Sequence, residues 1–247
     1  MCIIIYSPDG VIPKKHLHAS LDNNPDGWGI MWPQDGKLEI LQGLKKSEFF
    51  YNWKWVRSIK APKVFHARIG THGDDSFDNC HPFVVPNHGE LAMAHNGIIS
   101  QCADATSAKS DTKLFVENLL AKMPPGFYLN SAIQELLSDY VNHSKLVFMD
   151  GAGQVAIINS HHGKWVGEMW YSNHSYTHWR NNGTYYYSAP KSKPEMGFAP
   201  TGSNLVKAPE YSLLPDRVAD SAGGLSSQLP EHYRNIGASM GLVCVNK

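Results

Sequence analysis

An order constrains this fold more than any single motif: short apolar segments, then helical repeats, then short apolar segments again. Cys2–Tyr6, Trp28–Trp32, Leu38–Leu41, Lys63–Arg68 and Glu90–His95 are each a few residues long and bounded by Gly, Pro, Asn or Asp, so they read as strands. Leu129, Ile133, Leu136, Leu137 and Tyr140 recur at helical spacing, which predicts an amphipathic helix over Tyr128–Val141. Ser110–Ala121 reads as a second helix, separated from the first by Pro124-Pro125-Gly126, and Phe49, Trp53 and Val56 mark a shorter one. Lys145–Met149, Val155–Asn159 and Lys164–Tyr171 then form a meander whose first turn is Asp150-Gly151-Ala152-Gly153. Blocks of this kind build mixed α+β layers rather than a doubly wound parallel sheet. From about Thr177 onward Asn, Gly, Ser and Pro dominate. Residues 177–247 therefore read as a loop-rich extension packed on a domain that spans residues 1–176.

Several function classes are excluded by composition. The 22 basic and 22 acidic residues cancel and are spread along the chain, with no run that would attract nucleic acid or an anionic membrane surface. Apolar runs fall far short of the ~20 residues that span a bilayer. No basic region precedes the first apolar run, as a signal peptide would require. Cys2, Cys80, Cys102 and Cys244 show no paired spacing, so free thiols in a cytoplasmic protein are expected. The 13 His include His16/His18, His161-His162 and His174/His178, but no pair has a Cys or acidic ligand at ligand spacing. Neither a metal nor any other cofactor is expected.

Chemistry enters at Cys2, which becomes the first residue once Met1 is removed, a step that a small second residue favours. A thiol and a free α-amine would then share one residue. That amine has an ordinary pKa of roughly 7.7–8.0, so it can serve as the base for its own nucleophile. A buried first strand accounts for the same residues, so Cys2 needs supporting groups. Phe65-His66-Ala67-Arg68-Ile69-Gly70-Thr71-His72-Gly73 carries a guanidinium from a strand end into a Gly-rich turn, where it can grip a carboxylate in bidentate fashion. Met93-Ala94-His95-Asn96-Gly97-Ile98-Ile99 ends an apolar strand on Asn-Gly. That pair is either a hairpin turn or two converging N–H donors that meet an oxyanion. Ser110-Asp111-Thr112 opens a helix, where the dipole alone favours an acidic residue.

Taken in this order, the N-terminal Cys, His-Ala-Arg-x-x-Thr-His-Gly, Asn-Cys-His-Pro-Phe, His-Asn-Gly-Ile and Ser-Asp-Thr segments closely resemble the class II glutamine amidotransferases, from about Cys2 to Tyr176. The resemblance implies the four-layer αββα sandwich of the N-terminal-nucleophile hydrolases. By it, Cys2 is the nucleophile, and Asn96 with the Gly97 N–H forms the oxyanion hole. Arg68 and Thr71 would hold the glutamine α-carboxylate, with His72 beside them, while Asp111 and the Gly97 carbonyl would hold the α-amine. Segment Gly70–Pro82 falls where the family has a loop that closes over glutamine. One departure is clear. Biosynthetic members carry Arg-Gly-x-Asp-Ser-x-Gly where this chain reads Asn23-Asn24-Pro25-Asp26-Gly27-Trp28-Gly29-Ile30, which resembles the compact stand-alone branch. The C-terminal stretch does not resemble a synthase domain.

The implied activity is hydrolysis of L-glutamine to glutamate and ammonia through a γ-glutamyl thioester, with room for an ammonia-accepting partner protein. Two alternatives from the same site are a hydrolase of other γ-glutamyl amides or peptides and a glutamine-binding regulatory protein. Cys80 and His81 are adjacent in extended chain and face opposite ways, so they are not a second dyad.

Overall fold

The computed structural model describes residues 2–70 and 76–177 and the backbone of a short strand at 205–206. Two antiparallel sheets carry the fold. The first is six-stranded, in the order β3 (Lys37–Gly43), β2 (Gly27–Gln34), β4 (Lys63–Arg68), β1 (Ile3–Ser7), β10 (Met169–Tyr171) and β9 (Lys164–Val166). The second is five-stranded, in the order β11 (Leu205–Val206), β8 (Val155–Ile158), β7 (Lys145–Asp150), β6 (Leu91–Asn96) and β5 (Phe83–Val84). Four helices accompany them among the described residues: α1 (Lys14–Asn23), α2 (Lys46–Val56), α3 (Asp111–Asn118) and α4 (Ser131–Val141).

Side-chain alternation along the strands explains the layering. In β1, Ile4 and Tyr6 point to the second sheet, where Ala92, Ala94, Val147, Met149 and Ile157 meet them. Ile3 and Ile5 point the other way, with Trp28, Ile30 and Phe65, onto Leu17 and Leu21 of α1 and Phe49, Trp53 and Val56 of α2. On the far side Leu91, Met93, Leu146 and Phe148 pack against Phe115 and Val116 of α3 and Leu137 and Val141 of α4. The three apolar interfaces separate helices, sheet, sheet and helices: the αββα sandwich. A strand covered on both faces reads as a continuous apolar run. That is why Ile3-Ile4-Ile5-Tyr6 shows no alternation and all four are fully buried.

Some boundaries differ from the sequence reading. The expected Tyr128–Val141 helix is divided: Phe127–Leu129 forms a 3-10 turn, and α4 starts only at Ser131. Asn130 causes the break, its Oδ1 accepting from Ala132 N–H at 3.0 Å and Ile133 N–H at 3.2 Å. The expected Ser110–Ala121 helix ends at Asn118 and passes into a 3-10 turn at Leu120–Lys122, with Ser110 as its N-cap. Lys164–Tyr171 is two strands joined through Gly167, whose φ of 62° suits a tight turn. Helix α1 carries too few apolar side chains to announce itself. Of the expected C-terminal extension, Leu205–Val206 pairs with Val155 and Ala156, while residues 178–204 and 207–247 lie outside the described residues. No helix among the described residues is long and apolar enough to cross a membrane.

Candidate active site

Cys2 leads into β1, a strand flanked on both sides, by β4 and β10. Pairing of Ile3 with Ala67 sets Cys2 beside the end of β4, where Arg68 and Ile69 follow. The half-buried thiol donates to the Ile69 carbonyl at 3.5 Å, and its sulfur accepts the Ile69 N–H at 3.4 Å. Burial pushes the Cys2 thiol above its ordinary pKa, opposed in part by the Ile69 N–H and the Arg68 guanidinium. A thiol shifted this way stays protonated at neutral pH and needs a base before it can attack. The Cys2 carbonyl accepts two side-chain amides, from Asn96 Nδ2 and from Asn173 Nδ2 at 2.6 Å.

Arg68 ends β4 and is 3% exposed. Its carbonyl accepts the Asp26 N–H at 3.0 Å, while Asp26 Oδ2 accepts the Gly70 N–H at 2.8 Å, so Asp26 fixes the turn that follows. Thr71 and His72 lie outside the described residues. The Gly27 and Gly29 of the departing motif have a steric explanation. A Cβ on Gly27 would collide with the Cys80 sulfur, and one on Gly29 with the His81 carbonyl. Gln42 Nε2 clasps the same segment by donating to Cys80 O at 2.6 Å and Pro82 O at 2.8 Å. Asn79 links it to the approach of α3, its Nδ2 donating to Ala108 O and its Oδ1 accepting the Ser110 N–H, both at 2.8 Å. Of the segment expected to close over substrate, residues 76–82 are thus seated, with Asn79, Cys80 and His81 all buried.

Asn96-Gly97 does not make a hairpin, because the next partner of β6 is β7, which begins at Lys145. Asn96 is fully buried at the end of β6 and faces Cys2. Gly97 has φ of 149°, and a Cβ there would collide with Ser144, so both conformation and space require glycine. Ser144 Oγ accepts the Ile98 N–H at 3.1 Å, and Asp111 Oδ2 accepts the Ile99 N–H at 2.7 Å. Asp111 itself is 5% exposed in the first turn of α3. The structure therefore gathers Cys2, Arg68, Asn96, Gly97 and Asp111 at one end of the two sheets.

Three buried histidines lie behind these residues; they stand in the motif segments, but the sequence alone assigns them no role. His66 Nε2 donates to His95 O at 3.1 Å, and the His81 ring lies 4.1 Å from that of His66. His95 Nδ1 meets Thr112 Oγ1 at 2.7 Å, and Thr112 in turn approaches Asp111 Oδ1 at 3.4 Å, so His95 steadies the carboxylate through a hydroxyl. Burial lowers all three imidazoles, His66 to about 3, His95 to about 4 and His81 well below its ordinary value. Each His is thus neutral when folded and takes up a proton when unfolded below about pH 6.5. Their stabilisation is complete above that pH and is lost as pH falls toward 4. Ordinary carboxylates scarcely titrate between pH 6.5 and 5, so the melting temperature should already fall there. A flat profile over that interval would contradict the buried-neutral assignment.

Among the other described histidines, His16 Nδ1 bonds Tyr171 OH at 2.8 Å, His18 stacks on Phe50, and His143 bonds His162. His178 lies outside the described residues. Among the described residues no group of three or more His, Cys, Asp or Glu could hold a metal ion. Cys80 is buried with its thiol facing the Gly43 and Ser76 carbonyls and pushed up to about 11, while the His81 ring lies tilted against that of His66.

Comparison with known proteins gives partial matches. An uncharacterized protein of Methanocaldococcus jannaschii is 33% identical over 86 residues, which is 33% of this chain and 24% of that protein. A glutamine phosphoribosylpyrophosphate amidotransferase from B. subtilis aligns over 69% of this chain and 41% of its own, with 16% identity and a TM-score of 0.44. A class-II glutamine aminotransferase domain protein from Silicibacter pomeroyi aligns over 69% of this chain and 87% of its own, with 12% identity and a TM-score of 0.37. The chain thus spans about a quarter of the curated relative and less than half of the phosphoribosylpyrophosphate enzyme. Residues 15–113 match the family model described as glutamine amidotransferases class-II, a stretch that includes Arg68, Asn96, Gly97 and Asp111 and begins after Cys2. Over residues 15–113 the chain carries the sequence signature of the class-II glutamine amidotransferases.

Proposed function

We propose that this protein hydrolyses the side-chain amide of L-glutamine, with Cys2 as an N-terminal nucleophile. The observation that carries the reading is the meeting of Cys2 with Asn96 across the two sheets, the Cys2 carbonyl being held by the Asn96 amide. With Met1 removed, the free α-amine of Cys2 takes the thiol proton, directly or through water, and the thiolate attacks the amide carbon. Negative charge then gathers on the former carbonyl oxygen. An amide NH2 has two donors, so Asn96 can keep one on Cys2 and aim the other at that oxygen, alongside the Gly97 N–H. The protonated amine returns its proton to the leaving ammonia, which leaves a γ-glutamyl thioester that water resolves to glutamate. Ammonia is released to solvent or to an acceptor on a partner protein.

Arg68 and Asp111 supply opposite charges for the α-carboxylate and α-amine of the substrate, and this pairing selects an amino acid and orients its amide. The direct test is release of glutamate and ammonia by chain that begins at Cys2, with L-glutamine compared against γ-glutamyl amides. No release from glutamine under conditions where a γ-glutamyl amide is cut would move the substrate assignment to the conjugate. Arg68→Lys and Asp111→Asn should each raise KM by roughly tenfold to 150-fold, since a charge-assisted contact is worth about 1.5–3 kcal/mol. Lys keeps the charge but loses the planar fork, so the loss is expected even there. Binding of a glutamine analogue without its α-amine as tightly as glutamine would remove Asp111 from that role.

A further inference from the structure

Strand β10 ends at Tyr171, yet the next two residues keep bonding to the start of the chain. Ser172 N–H donates to Ile4 O at 3.0 Å, and its hydroxyl accepts the Ile4 N–H at 2.8 Å. Asn173 reaches two residues further toward the start, its Nδ2 donating to the Cys2 carbonyl at 2.6 Å. A side chain here supplies the rung that the strand backbone no longer provides. The amide is held in one sense, because its Oδ1 accepts the Ser175 N–H at 2.9 Å. Flipping it would set two carbonyl oxygens face to face. Beyond it the segment is fastened to α1: Asn23 Nδ2 donates to Ser175 O and Thr177 O, each at 2.9 Å. The Tyr176 ring packs 4.0 Å from Tyr171 and 4.9 Å from His16.

We infer that Asn173 is a positioning residue for the Cys2 nucleophile, an inference that rests on the reading of Cys2 given above. A chain-terminal residue has a single covalent anchor, so rotation about its Cα–C bond would swing thiol and amine together. That rotation stops when both ends are held. Ile69 holds the sulfur, and the two amides hold the carbonyl. Asn96 is shared with the oxyanion in the proposed reaction, whereas both ends of the Asn173 amide are committed to the backbone. Asn173 is therefore the support that stays constant through the cycle.

The test uses full-length protein beginning at Cys2, with Asn173→Ala and Asn173→Asp compared with wild type and with Cys2→Ala. Misplacing a reacting group by about 1 Å costs on the order of 100-fold. Asn173→Ala should accordingly lower kcat on glutamine about tenfold to 100-fold, with KM within about twofold. Asn173→Asp should be worse, because a carboxylate would face the Cys2 carbonyl. The pH profile of Cys2 alkylation by iodoacetamide should also move, which a residue that only held the fold would leave unchanged. Circular dichroism and melting temperature report the folded fraction. Wild-type kcat in folded Asn173→Ala overturns the inference. So does a loss of kcat that only tracks unfolding, with the alkylation profile of the folded fraction unchanged. Turnover that persists in Cys2→Ala overturns the reading of Cys2 instead and leaves the two failures distinguishable.

Discussion

Cys2→Ala is expected to eliminate glutamine hydrolysis while the protein stays folded. Removing the nucleophile of other acyl-transfer enzymes lowers kcat by about 10⁶-fold, and a loss of that order leaves no measurable turnover here. The structural cost should be small, because the sulfur sits half-buried and, among the described residues, its hydrogen bonds are to the Ile69 backbone. A change within about ±0.5 kcal/mol is typical where no core contact is lost. Melting temperature and ammonia release measured on one preparation check both halves of the expectation. Retained turnover would put the nucleophile elsewhere.

The second large effect follows from the amine. An N-terminal tag, or Met1 left in place, turns the α-amine of Cys2 into an amide that cannot accept a proton near neutral pH. Burial already raises the thiol pKa, so loss of the base is not relieved by spontaneous ionisation. General base catalysis contributes about 10²–10⁴-fold, and that range is the smallest loss to expect. The added chain also occupies space beside a residue already enclosed by Ile69, Asn96 and Asn173. Tagged protein should be nearly inactive and regain its rate once cleaved to begin at Cys2. Equal rates before and after cleavage would rule out N-terminal-nucleophile catalysis.

What the sequence reveals depends on where each signal is stored. Strand β4 is legible from end to end, because Pro62 and Gly70 bracket a run that is buried throughout. Helix α1 is not, since Leu17 and Leu21 are the only large apolar side chains among its buried residues. Arg68, Asn96 and Asp111 are legible as a motif set, although their convergence depends on packing one sheet against the other. His66, His81 and His95 stand inside the same motif segments, but nothing in the sequence shows that they pack together. Each looks like an ordinary strand or loop histidine until β4, β6 and the seated 76–82 segment bring them together. Asn173 is further from reach still, because nothing local marks an amide that bonds to the opposite end of the chain.

That bond also has a temporal meaning. The Cys2 carbonyl and Asn173 are 171 positions apart, so the start of the protein is completed by a residue near the end of the described domain. No nascent chain shorter than this can complete the support proposed for Cys2. At roughly 5–20 residues per second of synthesis, the interval from first residue to closure is on the order of ten to thirty seconds. During that interval the front of the chain is open to processing enzymes and lacks the support proposed for Cys2. Under the proposed mechanism, full competence would therefore come late in synthesis, once Asn173 has been added and can reach Cys2.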